Sequence, residues 1–208
     1  LIATIAAYYW LLQVQSPWML ILTYIAFGFA SLLFAFNFAH DLSHDALFKK
    51  KWQNNFLYTL MYTMVGAHAE AWKRRHVESH HYAPNVKDYD TDLQITSLIR
   101  VEPSAQVRWY HRFQHFYAPL AYTSYSLYWI TIKDGYVYAE DCAEKKLSLG
   151  YHLSFWGHKL LYFGYLLALP IYLSSLAWYW VILAFLRAAL SLAGIGLSFC
   201  TYSFLFNL

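Results

Sequence analysis

The feature that most constrains the fold is an unbroken run of uncharged, mostly apolar residues from Trp18 to Ala39. An α-helix rises about 1.5 Å per residue, so a run of this length reaches across the hydrocarbon core of a bilayer. In lipid, a helix satisfies its own backbone hydrogen bonds. Pro17 is well placed in the first turn of such a helix. The run therefore predicts a membrane-spanning helix, and it leads directly into His40 and His44.

Three further apolar runs suggest partners for this helix. Leu1–Leu12 is too short to span a membrane, and we expect it to be the end of a truncated helix. Near the other end, Lys159–Leu176 is interrupted softly at Pro170, and Ala177–Leu208 follows it. Ser174-Ser175 is the plausible turn between these two runs. The runs together predict two helical hairpins.

The stretch between the hairpins carries nearly all the charge. Its apolar pieces, Phe56–Val65 and Phe116–Ile132, are shorter than a span, which predicts interfacial or cap helices. The basic groups Lys49–Lys51, Lys73–Arg75 and Lys145-Lys146 then share one face of the membrane, as the positive-inside bias prefers. We expect an all-α integral-membrane fold, in which two transmembrane hairpins (four helices, the first truncated) lie under a cytosolic helical cap.

Composition agrees with contact with lipid. The 208 residues are 59% hydrophobic, 21% aromatic and only 13% charged, whereas ordinary globular domains are about 25% charged. A net charge of +3 is too small to indicate a nucleic-acid partner. Cys142 and Cys200 lie too far apart in sequence to suggest a disulfide framework. We expect residues 1–208 to be one domain, truncated at both ends; the sequence assigns no role to Arg187 within the last apolar run.

The spacing of the histidines indicates a metal site. Five of the ten histidines fall into two groups, His40/His44 and His76/His80/His81. Residues at positions i and i+4 of an α-helix lie on one face, about 5–6 Å apart, so each HxxxH pair can bind one metal ion. His81 would be turned about 100° from His80 and could reach a second ion or the same ion from another side. Imidazole ligands suit iron, copper, zinc or nickel, so the metal stays open.

Carboxylates beside these histidines are candidate partners for the imidazole N–H groups. Asp41, Asp45 and Glu78 could each fix the orientation of a ligand, although ordinary solvated charges explain them as well. His111 and His115 also show HxxxH spacing. We expect those two to contact a substrate head group or to pack within the cap rather than to bind metal.

Several segments resemble those of the membrane fatty acid desaturases, of the front-end type that acts on acyl-CoA or acyl-lipid. His40–His44 is similar to the first histidine box of that family, and His76–His81 to the second, HxxxHH. Tyr82–Asn85 and Asp88–Leu93 are similar to the segment of Asn and paired Asp that follows the second box. Gln114–Leu120 is also typical of the family.

The resemblance implies an enzyme with a non-haem centre of two iron ions and a kinked tunnel for an acyl chain. O2 and an electron donor of the cytochrome b5 or ferredoxin type would serve to introduce a cis double bond. The active site would face the cytosol, on a bacterial inner membrane or the endoplasmic reticulum. A third histidine box is expected beyond Leu208. The implied iron ligands are His40, His44, His76, His80 and His81. Candidate substrate contacts, for which packing or membrane topology is the alternative explanation, are Trp72, Arg74, Arg75 and His115.

Two other functions fit the same residues. A di-iron hydroxylase of acyl or alkyl chains would use the same ligands and return a hydroxyl group. A histidine-rich metal transporter or sensor would place its ligands near the middle of the bilayer. The histidine boxes follow the ends of apolar runs, which favours an enzyme.

Overall fold

Helices make up the regular structure of the part of the chain that the computed structural model describes, residues 1–84, 86, 89–90, 97–100 and 104–190, without the side chains of Phe36 and Asn37. No strand occurs among these residues, which confirms the predicted all-α class. The helices are α1 (Ile2–Gln13), α2 (Pro17–Phe34), α3 (His40–Ser43), α4 (Lys51–Val65), α5 (Ala69–Lys73), α6 (Gln114–Thr123), α7 (Tyr125–Leu127), α8 (Asp134–Glu144), α9 (Leu149–Phe163), α10 (Leu169–Leu173) and α11 (Trp178–Leu190). Wider π turns lie at Ala35–Ala39, Arg74–His80, Tyr128–Lys133 and Gly164–Ala168, and a 3₁₀ turn at Trp109–Phe113.

The first predicted hairpin is formed by α1 and α2, which pack along each other. Val14 and Ser16 adopt extended backbone conformations between the two helices, and Pro17 opens α2 as predicted. The regular α-helix ends at Phe34 rather than at Ala39, because Ala35–Ala39 winds into a π turn before α3 begins. The chain is therefore helical without a break from Pro17 into the first histidine box.

Among the described residues, α2 is the one helix long and apolar enough to cross a membrane. It has 18 residues, and most of its surface is not covered by protein. The helix α11 is apolar but shorter over its described length. The predicted number of hairpins stays a prediction. Residues Phe56–Val65 and Phe116–Ile132 contribute to no helix that could span, as expected of cap helices.

The second predicted hairpin begins earlier than its sequence indicated. Lys159 was the expected boundary of the apolar run, but α9 starts at Leu149, where the Ser148 hydroxyl accepts a hydrogen bond from the Tyr151 amide. The boundary was wrong because the charge of Lys159 is buried inside the protein rather than exposed at a helix end. The predicted turn at Ser174-Ser175 is confirmed, since α10 ends at Leu173 with Ser174 extended.

Pro170 accounts for the hydrogen bonds that join the two hairpins. Proline has no N–H group, so it cannot donate to a carbonyl one helical turn before it. The helix widens into the π turn just ahead of Pro170, and the carbonyl oxygens of Tyr165 and Leu166 accept side-chain donors instead. Tyr8 donates to Tyr165 O at 2.7 Å, and Tyr24 donates to Leu166 O at 2.5 Å. The irregular turn of one hairpin is thus satisfied by tyrosines of the other.

Gly66 sets the direction in which the chain leaves α4. It ends that helix at φ 77°, a left-handed conformation that glycine adopts without strain. A Cβ atom at this position would lie 2.6 Å from the Tyr162 ring. The close approach of α9 therefore requires glycine, and His68, just before α5, packs against the rings of Tyr151 and Phe155 on α9.

Replacing Tyr24 by phenylalanine tests the link between the hairpins. Tyr24→Phe leaves the buried Leu166 carbonyl without its donor, and we expect a loss of about 1–3 kcal/mol of stability. Thermal unfolding of the full-length protein in detergent measures it. In a Pro170→Ala background, where a backbone N–H is restored, the same substitution should cost less. Equal losses in both backgrounds would contradict the assignment.

Candidate metal centre

Four histidines converge at one point of the structure. One ring nitrogen from each lies within 4.8 Å of the corresponding atoms of the others, and the set is His40, His44, His76 and His81. Both predicted boxes contribute two members. The described residues hold no second group of three or more histidine, cysteine or carboxylate side chains placed in this way. The four imidazoles offer the donor atoms and the spacing that a transition-metal ion requires.

The first box is built on the short helix α3. Leu42 and Ser43 are buried and hold the helix against the core, while His40 and His44 remain exposed on its other side. The Ser43 hydroxyl donates to the His40 carbonyl at 2.6 Å. The ring centroids of His40 and His44 are 4.8 Å apart, as their spacing predicts.

The second box differs from its predicted geometry because it lies in a π turn. The His81 amide donates to the His76 carbonyl at 2.9 Å, five residues earlier, instead of to the residue four back. A wider turn brings positions i and i+5 together, so the Nε2 atoms of His76 and His81 are 2.9 Å apart. The expected pair, His76 and His80, has ring centroids 5.7 Å apart and does not converge on the same point.

His80 has a different neighbour. Its Nδ1 lies 2.9 Å from Oδ2 of Asp90, a carboxylate that is almost fully buried. Asp90 was not among the carboxylates expected to support a ligand, although it belongs to the Asp88–Leu93 segment that resembles the family. That resemblance was the one signal in the sequence that pointed to it.

The three expected carboxylates have unequal positions. Asp41 Oδ1 lies 3.5 Å from His40 Nδ1, with both side chains about half exposed. Asp45 has a positive φ of 55° and lies 3.9 Å from the Lys51 ammonium rather than beside a histidine. Glu78 is exposed to solvent. Support of a ligand stays a prediction for all three, and only Asp41 lies beside a box histidine.

Two of the four clustered histidines, His44 and His81, have a lowered pKa, which favours the neutral imidazole. Loss of solvation, followed by the neighbouring His40 and His76, lowers the pKa of His44. The pKa of His81 is lowered by the same two kinds of cause, desolvation and nearby imidazoles. Protons and metal ions compete for the same nitrogen atoms, so a lower pKa leaves more of each side chain able to bind metal at neutral pH.

Trp72 lies against the cluster. Its ring stacks on His76, with centroids 4.2 Å apart and planes 26° from parallel. The indole also contacts Tyr62 in the core, at 5.1 Å between centroids. Trp72 is therefore a wall between the cluster and the apolar interior, which is the position that a residue lining an acyl tunnel needs. Contact with the substrate stays a prediction.

The other expected substrate contacts have neighbours or surroundings of their own. Both amino nitrogens of Arg74 bind the carboxylate of Asp141, at 3.0 and 2.5 Å. Hydrogen bonds from this guanidinium, more than any other contact, hold the pKa of the Asp141 carboxyl well below its usual range. The Arg75 guanidinium lies 5.6 Å from the Trp129 ring centroid. His115 is exposed. Their role towards substrate stays a prediction, and Arg74 has a structural partner as well.

His111 has a role within the cap. Its Nδ1 accepts a hydrogen bond from the Arg108 amide at 3.0 Å, and its Nε2 lies 3.1 Å from the Ser97 carbonyl. Both ring nitrogens are therefore used to hold the loop that precedes α6. This position agrees with the expectation that His111 packs in the cap rather than binds metal.

A buried ion pair that sequence reasoning missed fixes the start of the second box. The Lys159 ammonium donates to Asp134 Oδ2 at 2.6 Å, to Gly66 O at 2.7 Å and to Ile130 O at 2.5 Å. The same Asp134 oxygen accepts a hydrogen bond from the His68 amide at 2.8 Å. Two backbone groups just before α5 are thus tied to α8 and α9. The signal in the sequence was that Asp134 and Lys159, which carry opposite charges, each lie next to an apolar run.

His68 and His158 lie beside this ion pair, outside the cluster. Both are buried, and their ring centroids are 5.8 Å apart. Burial is the largest cause that lowers the pKa of His68, to about 4. His68 is therefore uncharged at neutral pH, which avoids a second buried cation next to Lys159.

Over the residues that the structure describes, a cluster of histidines at the ends of helices accompanies an exposed apolar helix, the arrangement expected of a membrane metalloprotein. Comparison with known families makes the class specific. The fatty acid desaturase family matches residues 16–204, which is most of the chain. The chain belongs to the fatty acid desaturase family, and both histidine boxes lie within the matched region.

Three curated relatives illustrate the similarity. The sn-1 linoleoyl-lipid 6-desaturase of Arthrospira platensis is 34% identical over 123 residues, which are 58% of this chain and 33% of that protein. The acyl-lipid (8-3)-desaturase B of Dictyostelium discoideum is 33% identical over 123 residues, 57% of this chain and 26% of that protein. The acyl-lipid (8-3)-desaturase of Physcomitrium patens is 29% identical over 151 residues, which are 69% of this chain and 31% of that protein. The matched residues span about a third or less of each relative's length. No solved structure matches the chain.

Asp134→Asn tests the buried ion pair. It leaves the Lys159 ammonium buried without its counter-charge, and breaking such a pair costs about 3–5 kcal/mol. We expect a large fall in the thermal unfolding temperature of the full-length protein, partly recovered when Lys159→Met is added. Lys51→Met, which removes an exposed partner of Asp45, is the control and should change stability little. An unchanged unfolding temperature in Asp134→Asn would rule out the role of the pair.

Proposed function

We propose that this chain carries the first two histidine boxes of an oxygen-dependent, di-iron acyl-lipid desaturase that introduces a cis double bond. The observation that supports it most is the convergence of four imidazoles from both boxes within 4.8 Å. Membership of the desaturase family gives that cluster a chemical context. The chain is proposed to act as one membrane domain, with the cluster on the cytosolic side of a bacterial inner membrane or the endoplasmic reticulum.

The donor set fits iron. Neutral imidazoles bind iron, as they also bind zinc or copper, and family membership favours iron among these metals. We propose that His40, His44, His76 and His81 lie around one ion and that His80, turned towards Asp90, serves another. Further ligands are proposed to come from a third histidine box, which the described residues do not contain. Iron held there would supply the activation of O2.

The proposed reaction removes one hydrogen from each of two neighbouring methylene carbons and leaves a double bond between them. O2 is reduced to water, with electrons from a donor of the cytochrome b5 or ferredoxin type and protons from solvent. The protein positions the acyl chain and excludes water from the reacting carbons. Trp72, stacked on His76 and packed into the core, is suited to form that wall.

An acyl-lipid substrate is favoured over acyl-CoA. The relatives in Arthrospira, Dictyostelium and Physcomitrium are named as desaturases of lipid-linked acyl chains. In the cap of this chain, a cavity of about 450 Å³ is lined by arginine, aromatic and aliphatic side chains. Guanidinium groups bind phosphate well, and phospholipid head groups and CoA both carry phosphate, so the choice between them rests on the relatives. The lining residues are Arg100, Val107, Arg108, Trp109, His111 and Arg112.

A metal transporter is less well supported. Transport requires ligands along a path through the bilayer. The four clustered histidines lie after the end of α2 and in the turn that follows α5, and three of them are exposed. A position at the mouth of a helical bundle is better suited to an enzyme that acts on a membrane lipid.

Product analysis tests the proposed function. The full-length protein, in membranes with its electron donor, should convert an isotopically labelled phospholipid-bound acyl chain into an alkene that has lost two hydrogens. A hydroxylated product without alkene would favour the hydroxylase and contradict this proposal. Conversion of the CoA ester alone would overturn the choice of substrate. His44→Ala should abolish conversion. His152→Gln is the control and should keep it, because His152 lies outside the cluster and its ring is hydrogen-bonded to Tyr138.

A further inference from the structure

The segment after the second histidine box folds back onto the box. The Ala83 amide donates to the Ser79 carbonyl at 2.9 Å, and the Asp90 amide donates to the Val86 carbonyl at 2.8 Å. These turns reverse the chain direction. As a result, the Ser79 hydroxyl donates a hydrogen bond to the Tyr89 carbonyl. Consecutive residues of the box and of the returning segment are thus paired, Ser79 with Tyr89 and His80 with Asp90.

The contact of His80 with Asp90 is shielded from water on the carboxylate side. The Asp90 side chain is 1% exposed, and His80 Nδ1 lies 2.9 Å from Asp90 Oδ2. A buried carboxylate without a hydrogen-bond donor is costly, because water cannot replace the missing partner. Asp41, beside His40, is different: its side chain is 54% exposed and the distance is 3.5 Å, so water competes for it. Of the two contacts, only the one at Asp90 can fix a ring.

We propose that Asp90 is a positioning residue of the metal centre, which holds the proton of His80 on Nδ1 and directs Nε2 of that ring to the metal. This inference rests on the proposed function, since it assumes that the boxes bind metal. A carboxylate on the far nitrogen of an imidazole fixes its tautomer and orientation and makes the other nitrogen a better ligand. His76 and His81 also face each other through Nε2. All three histidines of the second box would then bind metal through the same ring nitrogen, Nε2.

The role of Asp90 differs from that of the four-histidine cluster. The rings of His76 and His81 lie 5.7 and 5.6 Å from that of His80, and His80 is not among the four histidines whose ring nitrogens converge. Within the π turn, His80 contacts a carboxylate that lies outside the box. The return of the chain at Tyr89 and Asp90 supplies that partner, and it explains why an acidic residue ten positions after His80 matters to the box.

Metal titration tests the inference. The full-length protein, freed of metal, is titrated anaerobically with Fe²⁺, and separately with Co²⁺ as a spectroscopic probe. Asp90→Asn keeps the shape of the side chain but removes its charge, and we expect the affinity of one site to fall about 10- to 100-fold, the usual effect of losing such a partner. The Co²⁺ absorption spectrum should change with it. Glu140→Gln, an exposed acid on α8, is the matched control and should leave both unchanged.

A double-mutant cycle separates positioning from loss of folding. If Asp90 acts through His80, then Asp90→Asn added to His80→Ala should lower metal affinity no further. A further loss of the same size would show a general structural role and overturn the inference. Wild-type affinity in Asp90→Asn alone would also overturn it. If the wild-type protein itself binds neither ion, it is the proposed function that fails, and thermal unfolding of each metal-free variant identifies any that are simply unstable.

Discussion

The buried ammonium group of Lys159 organises the region around the candidate site. Taking an ion pair out of water costs free energy. The pair is stable here because the Lys159 ammonium donates to three acceptors, the Asp134 carboxylate and the backbone carbonyls of Gly66 and Ile130. Asp134 in turn accepts the His68 amide. The segment that leads into the second histidine box is therefore fixed relative to α8 and α9 before any metal is bound. Arg74 and Asp141 form a second ion pair at the other end of α5.

π turns determine how the two boxes meet. One lies just before the first box and the other contains most of the second, so both histidine sets leave regular α-helix at the site. Such turns are frequent at functional sites because they redirect side chains by inserting a residue. In this chain the second turn joins His76 to His81 and turns His80 towards Asp90. The site is thus formed by a local irregularity supported by ion pairs nearby.

Sequence reasoning identified the right elements but not all of their geometry. The apolar helix α2, its start at Pro17 and the turn at Ser174 followed from hydropathy and turn chemistry, because these depend on local composition. The pairing of His40 with His44 followed from helical spacing. The pairing of His76 with His81 did not, since the spacing argument assumes an α-helix and a π turn carries no signal in the sequence.

The features that sequence reasoning missed depend on contacts between distant segments. Lys159 begins an apolar run in the sequence, but Asp134 neutralises its charge in the interior and α9 starts ten residues earlier, at Leu149. Asp90 is one of several acidic residues after the second box, and only the return of the chain shows which one reaches a histidine. Burial and partner are properties of the fold, so composition could not distinguish these residues from solvated charges.

Metal analysis of the full-length protein is the most direct test of the central claim that these histidines form an oxidative iron site. Protein purified from iron-supplemented cells should contain two iron ions per chain, and His44→Ala should lose iron while His152→Gln keeps it. Stoichiometric zinc in place of iron, with no dependence on His44, would contradict the account.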